Sequence, residues 1–498
     1  MKGDFSRLTF DPSKRFRRVL MQQGRVQLDA DWNEQAAILL YYLERLTADL
    51  IGPHGGPEGQ EGFAIGVCAE GTTITDLTLG TGRYYVDGLL CENLDANATY
   101  FAQPDLPRDR SQDKLPTTSF LAYLDVWERH LTNIEDDSIR EVALQGPDTA
   151  TRARLVWQVR VTDQAPADKT PFPATANDAT GKMWRDWVEV WQPANRGCLK
   201  ARAKLGGDPT KPCVASPDTG FRGLENQLYR VEIHSGGKAA EGGATFKWSR
   251  DNGSVAFPII DLTTESGSSD IMLTLEHLGS DGRASLAPDD WVEIVDDDVA
   301  LGQRQGALAQ VATVDAERTQ VTLRKPHSSK VGQDKTRHPL LRRWDYGSAA
   351  VQPAANGALA IVEGTDEGAW LDLEDGIQVC FQPAKAGASH TYCSGDYWLI
   401  PARTATGSIE WPGKPDDPTA LQPHGVRHHY APLALLVCGE ATSLRKSFKP
   451  QATEPGWLSR ELESVEVASQ DLLRRKARHL DRLLARIKHA LGDSAGGG

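Results

Sequence analysis

Three histidines in the last quarter of the chain are the residues whose types and spacing most resemble a reactive site. His424, His428 and His429 lie near Asp416 and Asp417, and two imidazoles with one carboxylate can bind zinc. Adjacent histidines on a strand point to opposite faces, so His428 and His429 could not bind one ion without a bend. His424 and His428 are therefore weak metal candidates, and the sequence predicts no metal and no cofactor.

An acidic run, Asp296-Asp297-Asp298, suggests calcium, because carboxylate oxygens are the ligands that this ion prefers. Asp289, Asp290 and Glu293 precede it, but the spacing does not match an EF-hand loop. A solvated turn between strands is the favoured interpretation.

The 7 cysteines include no CxxC pair. Cys198 with Cys213, and Cys380 with Cys393, could each close a loop or help bind a metal. The odd number and wide spacing favour free thiols in a reducing compartment.

No signature of an enzyme class stands out. The sequence has no Walker loop, no GxGxxG after a strand, no GxSxG and no HExxH, which argues against the chemistries that use them. Two carboxylates for glycoside hydrolysis could be hidden among 68 acidic residues. The 13 tryptophans permit a sugar-stacking surface, although those within strand patterns are more simply core, namely Trp127, Trp157, Trp248 and Trp398.

Several arginines sit near Asp or Glu in turn-rich segments, where ion pairs that hold long loops would explain them without a ligand. They are Arg129, Arg140, Arg152, Arg250, Arg343 and Arg403.

Composition limits the partners. The formal net charge of −13 argues against general nucleic-acid binding, which relies on basic surface. No run of 18 apolar residues occurs and the N-terminus has no continuous apolar segment, so we expect neither membrane insertion nor a secretory signal, and assembly in a cytoplasm.

The stretch from Leu20 to Pro53 predicts the first helix. Asp29 or Asp31 is a candidate N-cap, and Gly52-Pro53 ends the helix. Apolar residues then recur at alternating steps of four and three, as in a helix that packs lengthwise on another helix; they are Trp32, Ala36, Leu39, Leu43, Leu46 and Leu50.

A second helix is predicted over 467–491, with the same spacing in Leu473, Ala477, Leu480, Leu484, Ile487 and Leu491. The charged residues of this helix are mostly basic, whereas those of the first helix are mostly acidic. The two helices are therefore candidate partners within one chain or between chains. Packing of each helix on the β body is the alternative.

The remainder predicts a mainly β, multi-domain chain of small barrels or sandwiches, because short apolar strands alternate with Gly-rich turns. We divide it into an N-terminal arm and helix (1–55), a β domain (56–165), a linker with long loops (166–220), a β barrel or sandwich (221–330), a β domain with long loops (331–450), and a C-terminal helix with a disordered tail (451–498).

Several long segments together resemble a family of uncharacterised bacterial proteins that is associated with contractile, phage-tail-like injection systems. They are MKGDFSR, LMQQGRVQLDADWNEQ, YLDVWERH, ALQGPDTATR, FRGLENQLYRVEIH, FKWSRDNGSV, LRRWD and GDYWLIPARTATG. GRYYVDGLLCEN is similar to short β motifs of phage baseplate and tail-fibre proteins. The resemblance spans residues 1 to about 440 and implies a structural subunit of the baseplate, a fibre or an accessory; it transfers no catalytic residues.

The hypothesis that follows is a non-enzymatic, homo-oligomeric structural component of an injection particle. Its partners would be other subunits of the particle, which is released or membrane-associated. The predicted assembly interface comprises Trp32, Leu39, Leu43, Leu46, Leu473, Leu480, Leu484 and Ile487. A glycan-binding module displayed on the particle is the alternative, and a polysaccharide-degrading enzyme is a third class.

Overall fold

The computed structural model describes most of the chain up to residue 449, and Lys476 beyond it. The exceptions before residue 449 are 72, 108–112, 165–171, 174, 176, 179–180, 207–218, 265–269, 280–281, 325–329, 347–352, 355 and 386–387. The second predicted helix therefore lies outside the described residues, with Leu473, Leu480, Leu484 and Ile487.

The described part is mainly β, as the sequence predicts. Its α-helices are α1 (Asp29–Ile51), α2 (Lys182–Trp191) and α3 (Asp297–Leu301). Short 3-10 helices lie at Pro12–Lys14, Asp137–Ile139, Val142–Leu144, Ala239–Glu241, Lys335–Arg337 and Glu367–Ala369. No helix in the described ranges is long and apolar enough to cross a membrane.

The strands of the first half of the chain are β1 (His54–Pro57), β2 (Ile65–Glu70), β3 (Thr73–Leu79), β4 (Gly82–Val86), β5 (Leu89–Asn93), β6 (Ala102–Gln103), β7 (Leu106–Pro107), β8 (Phe120–Leu131), β9 (Arg152–Thr162), β10 (Cys198–Ala203), β11 (Gln227–Ser235) and β12 (Thr245–Ser249).

The strands of the second half are β13 (Ala256–Thr264), β14 (Ile271–Leu275), β15 (Trp291–Val295), β16 (Ala307–Asp315), β17 (Gln320–Arg324), β18 (Leu340–Trp344), β19 (Leu359–Ala360), β20 (Leu371–Asp372), β21 (Ile377–Gln382), β22 (Tyr397–Arg403), β23 (Ser408–Ile409), β24 (His429–Val437), β25 (Glu440–Ser443) and β26 (Ser447–Phe448).

The chain divides into two compact units. The first comprises Met1–Gly56 with Glu61–Lys446, and the second comprises Pro57–Gln60 with the residues from Ser447 onward. In the second unit, the Glu58 amide donates to the Phe448 carbonyl at 2.9 Å.

One sheet has the strand order β25-β24-β8-β9. Because side chains alternate between the two faces of a strand, its apolar residues contribute to a core on each side of the sheet. On β8, Leu124 and Val126 belong to a core that includes Phe63, Tyr84 and Trp157. Leu121 points to the other face, where α2 packs with its buried residues Trp184 and Trp187. Within 166–220, for which the sequence predicts a linker and long loops, the structure thus has α2 and β10.

A second core lies between the five-stranded sheet β19-β12-β11-β22-β23 and the three-stranded sheet β10-β21-β20. Trp248 on β12 and Trp398 on β22 are almost fully buried there, with Phe381 on β21. The four strand tryptophans that the sequence assigns to the core are all buried.

Six strands close into a barrel in the order β13-β14-β17-β16-β15-β18, and its interior holds apolar side chains such as Leu273, Val311 and Leu341. Asn252 (φ 52°) and Gly253 (φ 64°) have the left-handed conformation that the Asn-Gly pair predicts. Their turn leads the chain from β12, in the five-stranded sheet, to β13, in the barrel.

The backbone at Gly88 lies in close contact with the backbone of α1. It lies in the Asp87-Gly88 turn between β4 and β5 at φ +92°, and a Cβ added there would lie 2.2 Å from the carbonyl oxygen of Glu44 in α1. Only glycine allows this approach without strain.

We expect Gly88→Ala to weaken the attachment of α1. The left-handed backbone alone costs an alanine roughly 1–2 kcal/mol, and the clash adds about 1–3 kcal/mol. Gly71→Ala is the matched control, because Gly71 has φ +63° and no heavy atom within 4 Å of an added Cβ. Urea unfolding and hydrogen exchange of the α1 amides measure both effects; equal losses in the two variants would contradict the role given to Gly88.

Candidate functional site

The outer face of α1 carries a row of exposed apolar side chains. Its side chains keep more than half of their accessible surface, with 80% for Trp32, 59% for Leu39, 59% for Leu43, 58% for Leu46 and 72% for Leu50. Four of these residues are half of the predicted assembly interface, and the structure places them together on one helix. We call this set the α1 seam.

A different face of α1 attaches to the body. Ala30 and Ile38 are buried, and Tyr41 packs on Phe10 with ring centroids 5.7 Å apart. No described part of the chain covers the α1 seam, so the packing of α1 on the β body does not account for its apolar residues.

The N-terminal arm holds α1 by polar contacts. The Ser6 hydroxyl donates to Asp29 at 2.6 Å, the Thr9 hydroxyl donates to Glu34 at 2.7 Å, and the Val19 amide donates to Gln35 at 2.8 Å. The prediction that Asp29 or Asp31 caps the helix is corrected here, because the N-cap is Leu28, which makes no side-chain cap bond. Asp29 instead uses its carboxylate to bind the arm.

The histidines have separate partners. The Nδ1 atom of His428 lies 2.6 Å from Asp125, and that of His429 lies 2.9 Å from Asp87. The His424 ring lies 5.7 Å from the Tyr397 ring, tilted by 36°, and burial lowers the pKa of His424. Among the described residues, no three His, Cys, Asp or Glu side chains are placed to hold a metal ion.

The acidic run at Asp296 is not a solvated turn. Asp296 caps α3 by accepting from the amide of Val299 at 3.0 Å. Its other carboxylate oxygen accepts from the amide of Gly332 at 3.1 Å. Asp297 pairs with Arg129 at 2.5 Å. Two of these three carboxylates are therefore occupied by structural contacts.

The cysteines that the structure describes are free thiols, namely Cys68, Cys91, Cys198, Cys380, Cys393 and Cys438. Cys213 lies outside the described residues. Cys380 and Cys393 do not form the loop-closing bond that was one of the alternatives.

The arginines singled out in the sequence do hold loops. Arg129, Arg140, Arg250, Arg343 and Arg403 each form an ion pair with a carboxylate. Arg152 differs, since its guanidinium donates to the carbonyls of Ala150 and Thr151.

Arg250 brings two carboxylates together, which is the arrangement that a polysaccharide-degrading enzyme would need. It contacts Glu374 at 2.7 Å and Asp345 at 3.7 Å, and the Tyr229 hydroxyl also donates to Glu374. Burial raises the pKa of Glu374 to about 7. Neither carboxylate lines the cavity beside β11 or the groove beside the N-terminal arm. The cluster instead holds the loop between β20 and β21, which contains Glu374, against the end of β12.

A buried chain of charges is the feature that sequence reasoning missed. On β11, Arg230 and Glu232 alternate with apolar residues, a pattern that usually predicts a solvated polar face, yet the entire strand is buried except its last residue. Glu232 accepts from Arg230 at 2.6 Å and from Lys2 at 3.0 Å. Lys247 on β12 lies 3.5 Å from Glu232 and 2.6 Å from Glu293 on β15.

These charges line a cavity with a volume of about 340 Å³. The cations beside Glu232 and Glu293 hold the pKa of both carboxyls below the usual range in spite of burial. A shallower groove of about 590 Å³ lies beside the N-terminal arm, with Ser6 and Asp29 among its lining residues.

Glu374 predicts a pH dependence of stability. A pKa raised from 4.5 to about 7 means that the folded state favours the protonated carboxyl. Its contribution to stability is complete below pH 4.5 and is lost as the pH rises through about 7. At ~1.4 kcal/mol per pKa unit, the loss is about 3 kcal/mol at most.

We therefore expect Glu374→Gln to lose less stability than the wild type between pH 4.5 and 8, because glutamine does not titrate. Urea unfolding at several pH values measures this. Glu317→Gln, at an exposed site, is the control and should keep the wild-type slope. Parallel curves for Glu374→Gln and the wild type would contradict the assignment.

One comparison with known proteins gives a match. A model of a family of unknown function, DUF6519, matches residues 1–182 and 188–446. No curated protein matches the chain, and no solved structure does. The matched residues include α1, the charge-lined cavity and every sheet of the first unit. The chain therefore belongs to the family of unknown function DUF6519.

Proposed function

We propose that this chain is a non-enzymatic structural component of a contractile, phage-tail-like injection particle, as a baseplate, fibre or accessory subunit, and that it acts by assembly. The observation that carries the proposal is the α1 seam, an ordered apolar row with nothing described packed on it. The kind of particle is proposed from the resemblance of the long sequence segments to a family associated with contractile, phage-tail-like injection systems.

The energy available from one α1 seam is modest. A fully buried leucine contributes roughly 1.5–3 kcal/mol, and the leucines of the seam are already partly covered. Association itself costs about 4–15 kcal/mol. A single seam would therefore give weak association, and a ring or trimer that repeats the contact by symmetry would be needed for a stable assembly.

The partner that fits the α1 seam is an apolar helix with basic flanks. Asp31, Glu44 and Asp49 make α1 acidic, so a second α1 would add like charges, which disfavour association. The helix predicted over 467–491 has matching apolar spacing and is basic. We propose that this segment of a neighbouring copy, through Leu473, Leu480, Leu484 and Ile487, occupies the seam.

Assembly would take place in a cytoplasm, on a particle that is released or membrane-associated. Other particle subunits are the further partners. Neither nucleic-acid binding nor membrane insertion is part of the proposal.

A glycan-binding module is the second candidate, and one observation favours it. Trp32 is the most exposed of the described tryptophans and lies between Asp31 and Asn33, polar neighbours that suit a sugar. Its leucine neighbours on the same row suit a protein partner better, because sugar platforms need hydrogen-bonding groups around the ring.

We expect the double variant Leu39→Asp, Leu43→Asp to abolish the oligomer, because carboxylates at the centre of the contact would be desolvated without partners. The fold should persist, since both side chains are mostly exposed. Light scattering gives the mass, and near-ultraviolet circular dichroism reports the core.

Leu94→Asp is the matched control, because Leu94 is 85% exposed and lies outside α1. It should leave the oligomer intact. An oligomer that survives the double change, or a wild type that is monomeric at all accessible concentrations, would contradict assembly of copies through α1.

We expect removal of residues 456–498, or the double change Leu480→Asp and Leu484→Asp, to have the same effect on mass as the changes in α1. The reason is that either treatment removes the proposed occupant of the seam. Arg474→Gln, on the same predicted helix but outside its apolar row, is the control. A full-size oligomer after truncation would show that another surface holds the copies together.

A glycan array separates the two candidates. Under the glycan hypothesis the wild type binds a sugar, Trp32→Ala loses it, and the leucine variants keep it. Under the assembly hypothesis no sugar binds, and Trp32→Ala weakens the oligomer.

A further inference from the structure

The charge-lined cavity lies where the five-stranded sheet meets the barrel and β8. Arg230, Glu232 and Lys247 line it from the sheet, and Glu293 and Arg342 line it from the barrel. Its volume of about 340 Å³ is at the lower end of the range for small-molecule sites and about ten times the share of one liquid water. It is large enough for a small organic molecule.

Cations outnumber anions among the connected ion pairs of Glu232 and Glu293 that line the cavity. Lys2, Arg230 and Lys247 share the two carboxylates of Glu232 and Glu293. Arg342 is a fourth cation, so this group has four positive charges against two negative ones.

Arg342 has few partners for a buried arginine. It is 8% exposed and donates to the carbonyl oxygen of Gly253, but it forms no ion pair within the described part of the chain. Burial lowers the pKa of its guanidinium. A guanidinium has five N–H donors, and a buried charge without a counter-charge is costly.

Apart from Glu128, which is exposed, the remaining charged side chains on the wall have partners of their own. Glu135, which faces Arg342 at longer range, accepts from the amide and hydroxyl of Thr132 at 2.8 and 2.6 Å. Arg196 pairs with Asp396, and Asp296 caps α3. Glu128, Arg129 and Arg304 also line the cavity; Arg129 pairs with Asp297, and Arg304 donates to the Asp298 carbonyl.

Two histidines near the wall, His130 and His234, do not add charge. Burial, together with the neighbouring cations, lowers the pKa of His130 to about 3 and that of His234 to about 4. Both are therefore neutral at physiological pH, although the surroundings are electropositive.

We propose that this cavity binds a small organic anion whose carboxylate or phosphate oxygens pair with Arg342 and Lys2. A planar guanidinium binds two oxygens of such a group at once, and the ammonium of Lys2, 30% exposed, can turn toward the same group. An aromatic row on the cavity wall, in which His428 stacks on Tyr430 at 16°, suits the ring or carbon skeleton of the ligand. The proposal does not depend on the assembly role.

Calorimetric titration of the full-length chain at constant ionic strength tests the proposal. The probes are inorganic phosphate, glucose 6-phosphate, glucuronate and, as the neutral control, glucose. We expect saturable binding of glucose 6-phosphate or glucuronate and none of glucose. Binding of glucose 6-phosphate alone assigns a phosphate ligand, and binding of glucuronate alone assigns a carboxylate. No saturable binding of any anion at 10-fold molar excess over millimolar protein, or equal binding of glucose, would overturn the proposal.

Variants locate the site. Arg342→Gln should weaken binding at least tenfold, whereas Arg343→Gln should not, because the neighbouring Arg343 is equally buried but pairs with Asp345 and does not line the cavity. If Arg342→Gln fails to fold, Lys2→Gln, at a partly exposed position, serves instead and should weaken binding several-fold. Unchanged affinity in a folded variant of Arg342, or of Lys2 in its place, would place the anion elsewhere.

Discussion

The carboxylate of Glu232 is the point on which the central part of the molecule depends. Because it accepts from Arg230 and Lys2 and lies near Lys247, β11 can be buried on both faces. One face packs into the apolar core between the two sheets, and the other is covered by the barrel and the N-terminal arm. Since Lys247 also reaches Glu293, the same contacts connect the sheet to the barrel. Removal of one member would leave buried charges without partners, which typically costs 3–5 kcal/mol.

The N-terminal arm and α1 show a separation of roles within one short segment. The helix is attached to the body through buried Ala30 and Ile38, the close approach of Gly88, and the hydrogen bonds of Asp29 and Glu34. The large apolar residues of the α1 seam face away from the body. Because the side chains of the α1 seam are not needed to attach the helix, a partner surface could cover them without loss of the fold. The proposed assembly role would therefore not compete with folding.

Local patterns in the sequence were sufficient for the mainly β character, for the buried tryptophans, and for the ion pairs of Arg250 and Arg343. They were insufficient wherever the environment of a residue is set by distant segments. Arg230 and Glu232 alternate with apolar residues on β11, which is typical of a solvated polar face. The alternation alone cannot show that the barrel covers this face. Helix α2 was not predicted, because the Pro-, Ala-, Thr- and Asp-rich sequence just before it indicates a loop. The helical spacing of Trp184, Trp187 and Trp191 was the signal for it. The separate partners of His424 and His428 could likewise be known only from the fold.

The pairing of β8 has a consequence for how the molecule is made. Its two neighbours are β9 and β24, which pairs with β8 from His429 opposite Val126 onward. His428, just before β24, contacts Asp125 on β8 across 303 positions of the chain. On a ribosome, β8 and β9 emerge long before β24, so one edge of β8 stays open during most of synthesis. Such distant pairings slow folding, and open apolar strand edges attract other chains. The nascent chain therefore has a long interval in which chaperone binding and premature association compete for the same strand edge.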